Sequence, residues 1–508
     1  MLHTCILRGL SGFTGTNERK DTMKSVKIAP AIQRALQSIL RAYPVVAQIV
    51  QKIDQENGPY YASSEASKGK RAFLVGGAVR DLLLERVVKD LDIEVHGLSL
   101  EKLESILKQF GPVSEVGKSF GVLRLHGLDV DWSLPRCDSS GRKPDVKIDP
   151  DMSLKDAFLR RDLTINAMGI DLVSYLLVDP FGGLEDLRAG ILRAPDLKFF
   201  VEDPLRLFRV MQFVGRFEMN PDQALNDVCA KMDISDVSVE RIESEFEKLL
   251  LKSKRPSLGF KWLQKIGRLQ ELLPELYALI DVPQDPTWHP EGEVFEHTMQ
   301  SLDAAAQLEY ANDSEKLIIM FAVLCHDIGK PATTEKIGGA WKSLGHSQEG
   351  VDTSKRMLKR ITRKGDLIEA VGKLVRHHMA PAQLINSKAK PSAYKRLARK
   401  IAPHATISML AKVALADKRG RNPIKGKPLK KNFPVIDKFL LNAQHANVQH
   451  EPEPAVLLGR DLLDVIAPGP ELGELLKAAY EIQIQEGITD KKELRKRVLA
   501  LRDKELLK

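Results

Sequence analysis

The chain has 508 residues, 43% hydrophobic and 29% charged, with 77 Lys and Arg against 68 Asp and Glu. At roughly 150 residues per domain this predicts three or four compact units, and the apolar content excludes a disordered chain. A formal charge of +9 favours a polyanionic partner. The four scattered cysteines (Cys5, Cys137, Cys229, Cys325) form no CxxC pair. They exclude a disulfide framework and a cysteine-based zinc site, and they fit a reducing compartment such as the cytoplasm. The longest apolar run, Leu317 to Cys325, is about half of the roughly 18 residues that a membrane span needs.

Residues 1–71 read as an N-terminal extension with a helix-like segment from Val26 to Ile49, and Met23 offers an alternative start. No apolar stretch there is long enough for a signal peptide. A Ser/Gly/Lys-rich linker, Gln55 to Arg71, precedes a head domain expected over 72–179. Within it FLVGGAVRDLLL predicts a strand, a Gly-Gly turn and a helix; LDIEV predicts a short strand; GVLRLHGLDVDW predicts a strand or hairpin. After Glu202 the closely spaced Leu205, Phe208, Val210 and Phe213 predict helix, giving a helical region over 180–281. A Pro-containing break, Val282 to Pro290, opens a second helical domain over 282–421, and a basic linker from Asn422 to Pro434 leads into a helical tail over 422–508. The expected class is α+β: a small head with a short mixed sheet and helices, followed by an elongated all-α body. Fourteen Lys and Arg against three Asp and Glu between Val351 and Lys400 concentrate the basic excess in that body, as a nucleic-acid-facing surface would.

The head carries candidate chemistry. On a strand, Asp90 and Asp92 of KDLDIEV point to one face. Two carboxylates held together favour a cation between them, and oxygen ligands suit Mg²⁺. Gly76 and Gly77, before the predicted helix, leave room for phosphate oxygens to approach free backbone N–H groups. A third acid could come from LDVDWSLPR, where alternation gives Asp129 and Asp131 the same facing.

Four motifs in order, GGAVRDLLL…KDLDIEV, RRDLTINAM, DPFGGLEDL and EDPLRLFR, resemble the bacterial class II tRNA nucleotidyltransferase and poly(A) polymerase family. The resemblance implies that Asp90, Asp92 and a later acid hold two metal ions. The family's acid-x-x-x-x-Arg strand, matched by Asp131 and Arg136, selects Asp131. Such a centre would activate an RNA 3′-hydroxyl and stabilise departing pyrophosphate. Gly76, Gly77 and Arg80 would bind the triphosphate, and by resemblance Arg161 and Asp162 contact the ribose and nucleotide. Asp203 and Arg206, three apart on a predicted helix, would be neighbours. An Asp acceptor beside an Arg donor matches the Watson–Crick edges of cytosine and adenine and not those of uracil and guanine. The family is assigned this selection mechanism, with Arg209 in support; the alternative for Asp203 is an N-cap before Pro204. A loop over Cys137 to Leu154 would govern which nucleotide is added.

The body carries a His/Asp constellation: His297, His326-Asp327 in LCHDIGK, His346, His377-His378 and Asp417. Burying a His-Asp pair at the end of the apolar segment Leu317 to Cys325 calls for a compensating cation. The pattern resembles the HD-domain phosphohydrolases, which implies metal ligands at His297, His326, Asp327 and Asp417. His346, His377 and His378 match further positions that hold a second metal or orient phosphate. The HD region after the head, with a tail from Leu457 to Thr489, is similar to CCA-adding enzymes with a C-terminal HD domain. That resemblance implies addition of C and A from CTP and ATP to tRNA with Mg²⁺, plus phosphohydrolysis at a second divalent-metal site, and no protein partner. The alternatives are a poly(A) polymerase, a CC- or A-only enzyme, and an HD phosphohydrolase with an inert RNA-binding head.

Overall fold

The computed structural model describes residues 25–57, 69–88, 90–115, 121–138 and 146–505. The aperiodic start, the alternative Met23 and residues 139–145 of the expected loop lie outside the described residues. The chain divides into two compact units, Met1–Asp203 and Pro204–Lys508.

The first unit is built on an eight-stranded sheet. In chain order its strands are β1 (Ser25–Lys27), β2 (Arg71–Val75), β3 (Leu91–His96), β4 (Val113–Glu115), β5 (Val122–Leu125) and β6 (Val130–Ser133). A separate ribbon, β7 (Arg136–Asp138) with β8 (Val146–Ile148), precedes β9 (Gly169–Asp171) and β10 (Leu176–Val178). The order across the sheet is β1-β10-β9-β2-β3-β6-β5-β4. Every described pairing in it is antiparallel except that of β3 with β6, which is parallel. Alternation along β3 sends Leu91, Ile93 and Val95 into the core and leaves Asp92 and Glu94 on the other face.

Two departures from the sequence reading concern the head's limits. The expected single helix from Val26 is a strand at the sheet edge followed by two helices, Pro30–Ala42 and Pro44–Gln55, each with proline in its first turn. Their apolar faces, Ile32, Leu36 and Leu40, then Val46, Ile49, Val50 and Ile53, belong to the same core as β2 and β3. Residues 25–57 are therefore part of the head rather than an extension. The head also runs past 179, because the helix Gly183–Ala189 packs against the 3₁₀ turn Thr164–Asn166. Asp179 accepts from the N–H groups of Gly183 (2.7 Å) and Leu184 (2.9 Å). A Cβ at Gly183 would lie 2.1 Å from the Thr164 carbonyl oxygen, so DPFGG is a packing device.

The second unit is mainly helical. The helix Arg206–Phe217 packs on Val239–Lys252 and Ser257–Lys265. Farther along, Val294–Ala305 packs against Asp313–Cys325 and Ile407–Arg419, while Gly365–His377 packs on Asp313–Cys325 and His346–Ile361. A hairpin not anticipated from sequence, Thr334–Ile337 with Ala340–Ser343, links the second of these helices to His346. The tail forms a small core of its own around Leu462, Leu475, Ala479, Leu494 and Val498. No helix among the described residues is long and apolar enough to cross a membrane.

Two candidate functional sites

The parallel pairing of β3 and β6 sets Leu91 opposite Val130 and Asp92 opposite Asp131. Asp90 lies just before β3 on the facing that Asp92 shares. Asp129 is exposed and precedes β6, so the register sets Asp131, of the two alternatives, beside Asp92. Arg124, opposite Asp131 on β5, donates from Nε to Asp131 Oδ1 at 2.8 Å. Asp92 is open on one side, yet protein crowding its carboxyl raises its pKa. The charges of Asp131 and Asp90 raise it further, against the opposing pull of Arg161 and Arg124. Unfavourable like charge of this kind is relieved by a cation. The three head carboxylates are not drawn as tightly together as the ligand groups of the second unit described below.

Beside these acids the backbone turns at Gly76, with φ of +69°, before the helix Gly77–Leu83. A side chain there would be strained, and its Cβ would fall 2.9 Å from Arg161 Nη1 and 3.9 Å from Asp92 Oδ2. Arg161 thus lies over the glycine turn, close to the DxD strand. Its Nη2 is 3.3 Å from Glu94 Oε2, and Glu94 Oε1 is 3.0 Å from His96 Nε2. Burial pushes the Glu94 carboxyl up, but hydrogen bonds from His96 and Arg161 hold it below its ordinary range. Arg80 is buried, donating to Asn166 Oδ1 at 2.5 Å and to Asp81 at 2.9 Å. Asn166 donates in turn to Asp162 Oδ1 at 2.9 Å. Arg80 and Asp162 therefore brace the glycine turn against the RRD segment.

The EDPLRLFR motif differs from its expected form. The helix begins at Arg206, while Asp203 and Pro204 lie in the turn before it. Leu205 already has helical backbone angles, and the Pro204 carbonyl accepts from the Leu207 N–H at 3.3 Å. Arg209 lies over the Phe213 ring at 5.7 Å, with Nη1 3.9 Å from the buried Glu245.

In the second unit His297, His326, Asp327, His346, His378 and Asp417 converge. His297 Nε2 lies 3.2 Å from His326 Nε2 and 3.2 Å from Asp417 Oδ1. Asp327 spans the cluster, with Oδ2 3.2 Å from His326 Nε2 and Oδ1 3.4 Å from His346 Nε2. His346 Nε2 is 3.2 Å from His378 Nε2. Three of these rings are fixed by the backbone three residues earlier. His326, His346 and His378 donate Nδ1–H to the carbonyls of Val323, Ser343 and Val375 at 2.7, 2.7 and 2.8 Å. Each Nε2 then presents a lone pair inward. Two lone pairs 3.2 Å apart repel unless a cation lies between them, so the donor set fits a divalent metal, with Asp327 able to bridge two. Burial would push the Asp327 and Asp417 carboxyls up, but the surrounding cations and imidazoles hold both well below their ordinary range. Burial pushes His378 down to about 3. His377, named with it, is not among the gathered ligand groups.

Sequence reasoning missed the groups that contact these side chains. His297 Nδ1 is 2.7 Å from Glu291 Oε1, which is 2.9 Å from His289 Nδ1. Lys330 Nζ is 2.8 Å from Asp327 Oδ2, and Arg421 pairs with Asp417 at 2.8 Å. Lys330 and Arg421 follow their partners by three and four residues, the spacing of a helical turn. Glu291 and His289 come from the Pro/Gly loop, where no periodicity announces them.

Family models match the chain over residues 72–193 (Poly A polymerase head domain), 227–279 (Probable RNA and SrmB- binding site of polymerase A) and 294–417 (HD domain). The multifunctional CCA protein of Pasteurella multocida is 37% identical over 301 residues, 57% of this chain and 69% of that protein. That of Methylococcus capsulatus is 33% identical over 428 residues, 80% of this chain and 92% of that protein. In fold, the chain is similar to the Bacillus stearothermophilus CCA-adding enzyme solved with CTP, with a TM-score of 0.60, 21% identity and coverage of 94% and 100% of the two chains. These sequence relatives, 37% and 33% identical and covered over 69% and 92% of their lengths, show that the chain belongs to the multifunctional CCA protein family.

Proposed function

We propose that this enzyme adds C and A from CTP and ATP to the 3′ end of tRNA, and that its HD cluster hydrolyses phosphate esters. The observation that carries the first activity is the register of Asp92 against Asp131, beside a glycine turn covered by Arg161. Similar enzymes have been solved with CTP, with ATP and, from Thermotoga maritima, with tRNA. Divalent ions at the two sites, Mg²⁺ in the head, would supply charge neutralisation and activation of an oxygen nucleophile.

In the head, Asp90, Asp92 and Asp131 hold the ions, and the open backbone at Gly76 and Gly77 admits the triphosphate. Arg161 reaches the nucleotide, while Arg80 and Asp162 keep the turn in place. Asp203 and Arg206 select CTP and ATP by base edge, with Arg209 in support. In the body, His297, His326, Asp327 and Asp417 form one metal position, and His346 and His378, with Asp327 shared, form a second. Lys330 adds positive charge where a phosphate would sit. Buried free thiols at Cys229 and Cys325 support a reducing, cytoplasmic setting.

The test is incubation of the purified protein with tRNA lacking its 3′ terminus, labelled CTP and ATP, and Mg²⁺. Two C and one A should be added in that order. Addition of A alone favours the poly(A) or A-only reading, and no incorporation with an active HD site favours an inert head.

A further inference from the structure

The four histidines of the HD cluster are oriented in two different ways. His326, His346 and His378 each donate Nδ1–H to the main-chain carbonyl three residues earlier. Those three anchors come with the backbone. His297 is 0% exposed, and its Nδ1 meets a side chain, Glu291 Oε1, at 2.7 Å in an ion-pair contact that is out of line for a hydrogen bond. Glu291 belongs to a different segment, the loop ahead of the helix Val294–Ala305, and its side chain is also fully buried. Its Oε1 is shared with His289 Nδ1 at 2.9 Å, whose ring meets that of His297 edge-on, with centroids 5.0 Å apart. Its second oxygen, Oε2, has no hydrogen-bond partner.

We propose that Glu291, steadied by His289, is the positioning residue that makes His297 a metal ligand. This rests on the reading of the HD cluster as a metal centre. A proton held on Nδ1 by a carboxylate fixes the tautomer with Nε2 bare and makes Nε2 more basic. Nε2 is the atom 3.2 Å from both His326 Nε2 and Asp417 Oδ1. Without Glu291 the ring can carry its proton on Nε2, which blocks the position shared with His326 and Asp417. The position formed by Asp327, His346 and His378 keeps its backbone anchors.

The experiment is a Co²⁺ titration of the full chain in excess Mg²⁺, which occupies the head carboxylates. It is followed by calorimetry and by the visible absorption of imidazole-bound Co²⁺. Glu291→Gln should weaken one Co²⁺ site about 10- to 100-fold and alter its visible band, and Glu291→Ala should weaken it more. Asp327→Asn should disturb both sites. The Co²⁺-induced rise in melting temperature should be smaller in Glu291→Gln than in the parent. Equal Co²⁺ affinity in the parent, Glu291→Gln and Glu291→Ala overturns the proposal. Failure of the parent to bind Co²⁺ overturns the metal reading itself. If Glu291→Gln does not fold, His289→Leu decides: several-fold weaker Co²⁺ binding supports the assignment, and unchanged binding overturns it.

Discussion

Asp92 and Asp131 stand opposite each other across the one parallel pairing described in the head sheet, and Arg124 on the next strand closes on Asp131 from the far side. Two acids are thereby brought side by side from segments about 40 residues apart in sequence, with a cationic group already neutralising one of them. In the metal-loaded enzyme Arg124 would have to share or release that carboxylate.

This relationship predicts that Asp92→Asn and Asp131→Asn each lower nucleotide incorporation by roughly 10³-fold, the factor that ~4 kcal/mol of lost charge stabilisation corresponds to. Arg124→Ala should leave activity measurable and lower the Mg²⁺ concentration needed for half-maximal incorporation. A steady-state Mg²⁺ titration separates the two classes.

The two activities should separate by mutation. Asp327→Asn removes the carboxylate that touches both histidine pairs, so hydrolysis of a phosphodiester should fall to background while incorporation into tRNA persists. Loss of both together would show that the sites are coupled.

Gly329 ends the HDIG turn, and a Cβ there would lie 2.2 Å from the His346 carbonyl oxygen and 2.6 Å from the Gly350 nitrogen. Both are backbone atoms, so the turn and the His346–Ile361 helix must part. Gly329→Ala should cost about 1–3 kcal/mol of stability and weaken metal binding at His346 and His378. Thermal melting with and without Co²⁺ measures each effect.

Asp303, two turns along the helix from His297, is buried, and burial pushes its pKa up to about 6 despite hydrogen bonds from the Ser257 N–H and hydroxyl. Its folded pKa is above the unfolded value, so the folded state binds more protons between pH of about 4 and about 6. Across that window the Asp303 contribution to stability must fall as pH rises. Asp303→Asn should remove that slope and melt at or above the parent temperature at neutral pH. A parent-like slope in the variant would refute the assignment.

The base selection proposed for Asp203 and Arg206 is open to direct measurement. Arg206→Ala should narrow the preference for CTP and ATP over UTP and GTP by roughly 10- to 100-fold, the worth of one charge-assisted hydrogen bond. The check is competition between labelled nucleotides on the same tRNA.

Much of this was legible in the chain because it is local. Alternation marks the DxD strand, two glycines mark the turn, and an adjacent His-Asp pair marks the end of an apolar helix. What was not legible depends on distant pairing or on small rotations. Period-two alternation gives Asp129 and Asp131 the same facing; the family resemblance favours Asp131, and the register of β3 against β6 supplies the physical reason. His377 and His378 are neighbours in sequence, but one residue turns a helix by about 100°. Backbone geometry directs His378 to the cluster and not His377. The helices at Pro30–Ala42 and Pro44–Gln55 read as an extension because a linker separates them from β2, yet their apolar faces complete its core. Asp203 was expected on a helix that starts three residues later.

The His and Asp side chains gathered in the HD cluster are contributed by separate segments spread between residues 297 and 417. An ion seated among them would act as a cross-link closing several long loops at once, and closing a loop removes freedom from the unfolded chain. Metal supply would then set how long this half of the protein survives proteases as well as whether it hydrolyses anything. A cell short of the ion would hold the domain in a less stable, more readily cleaved form.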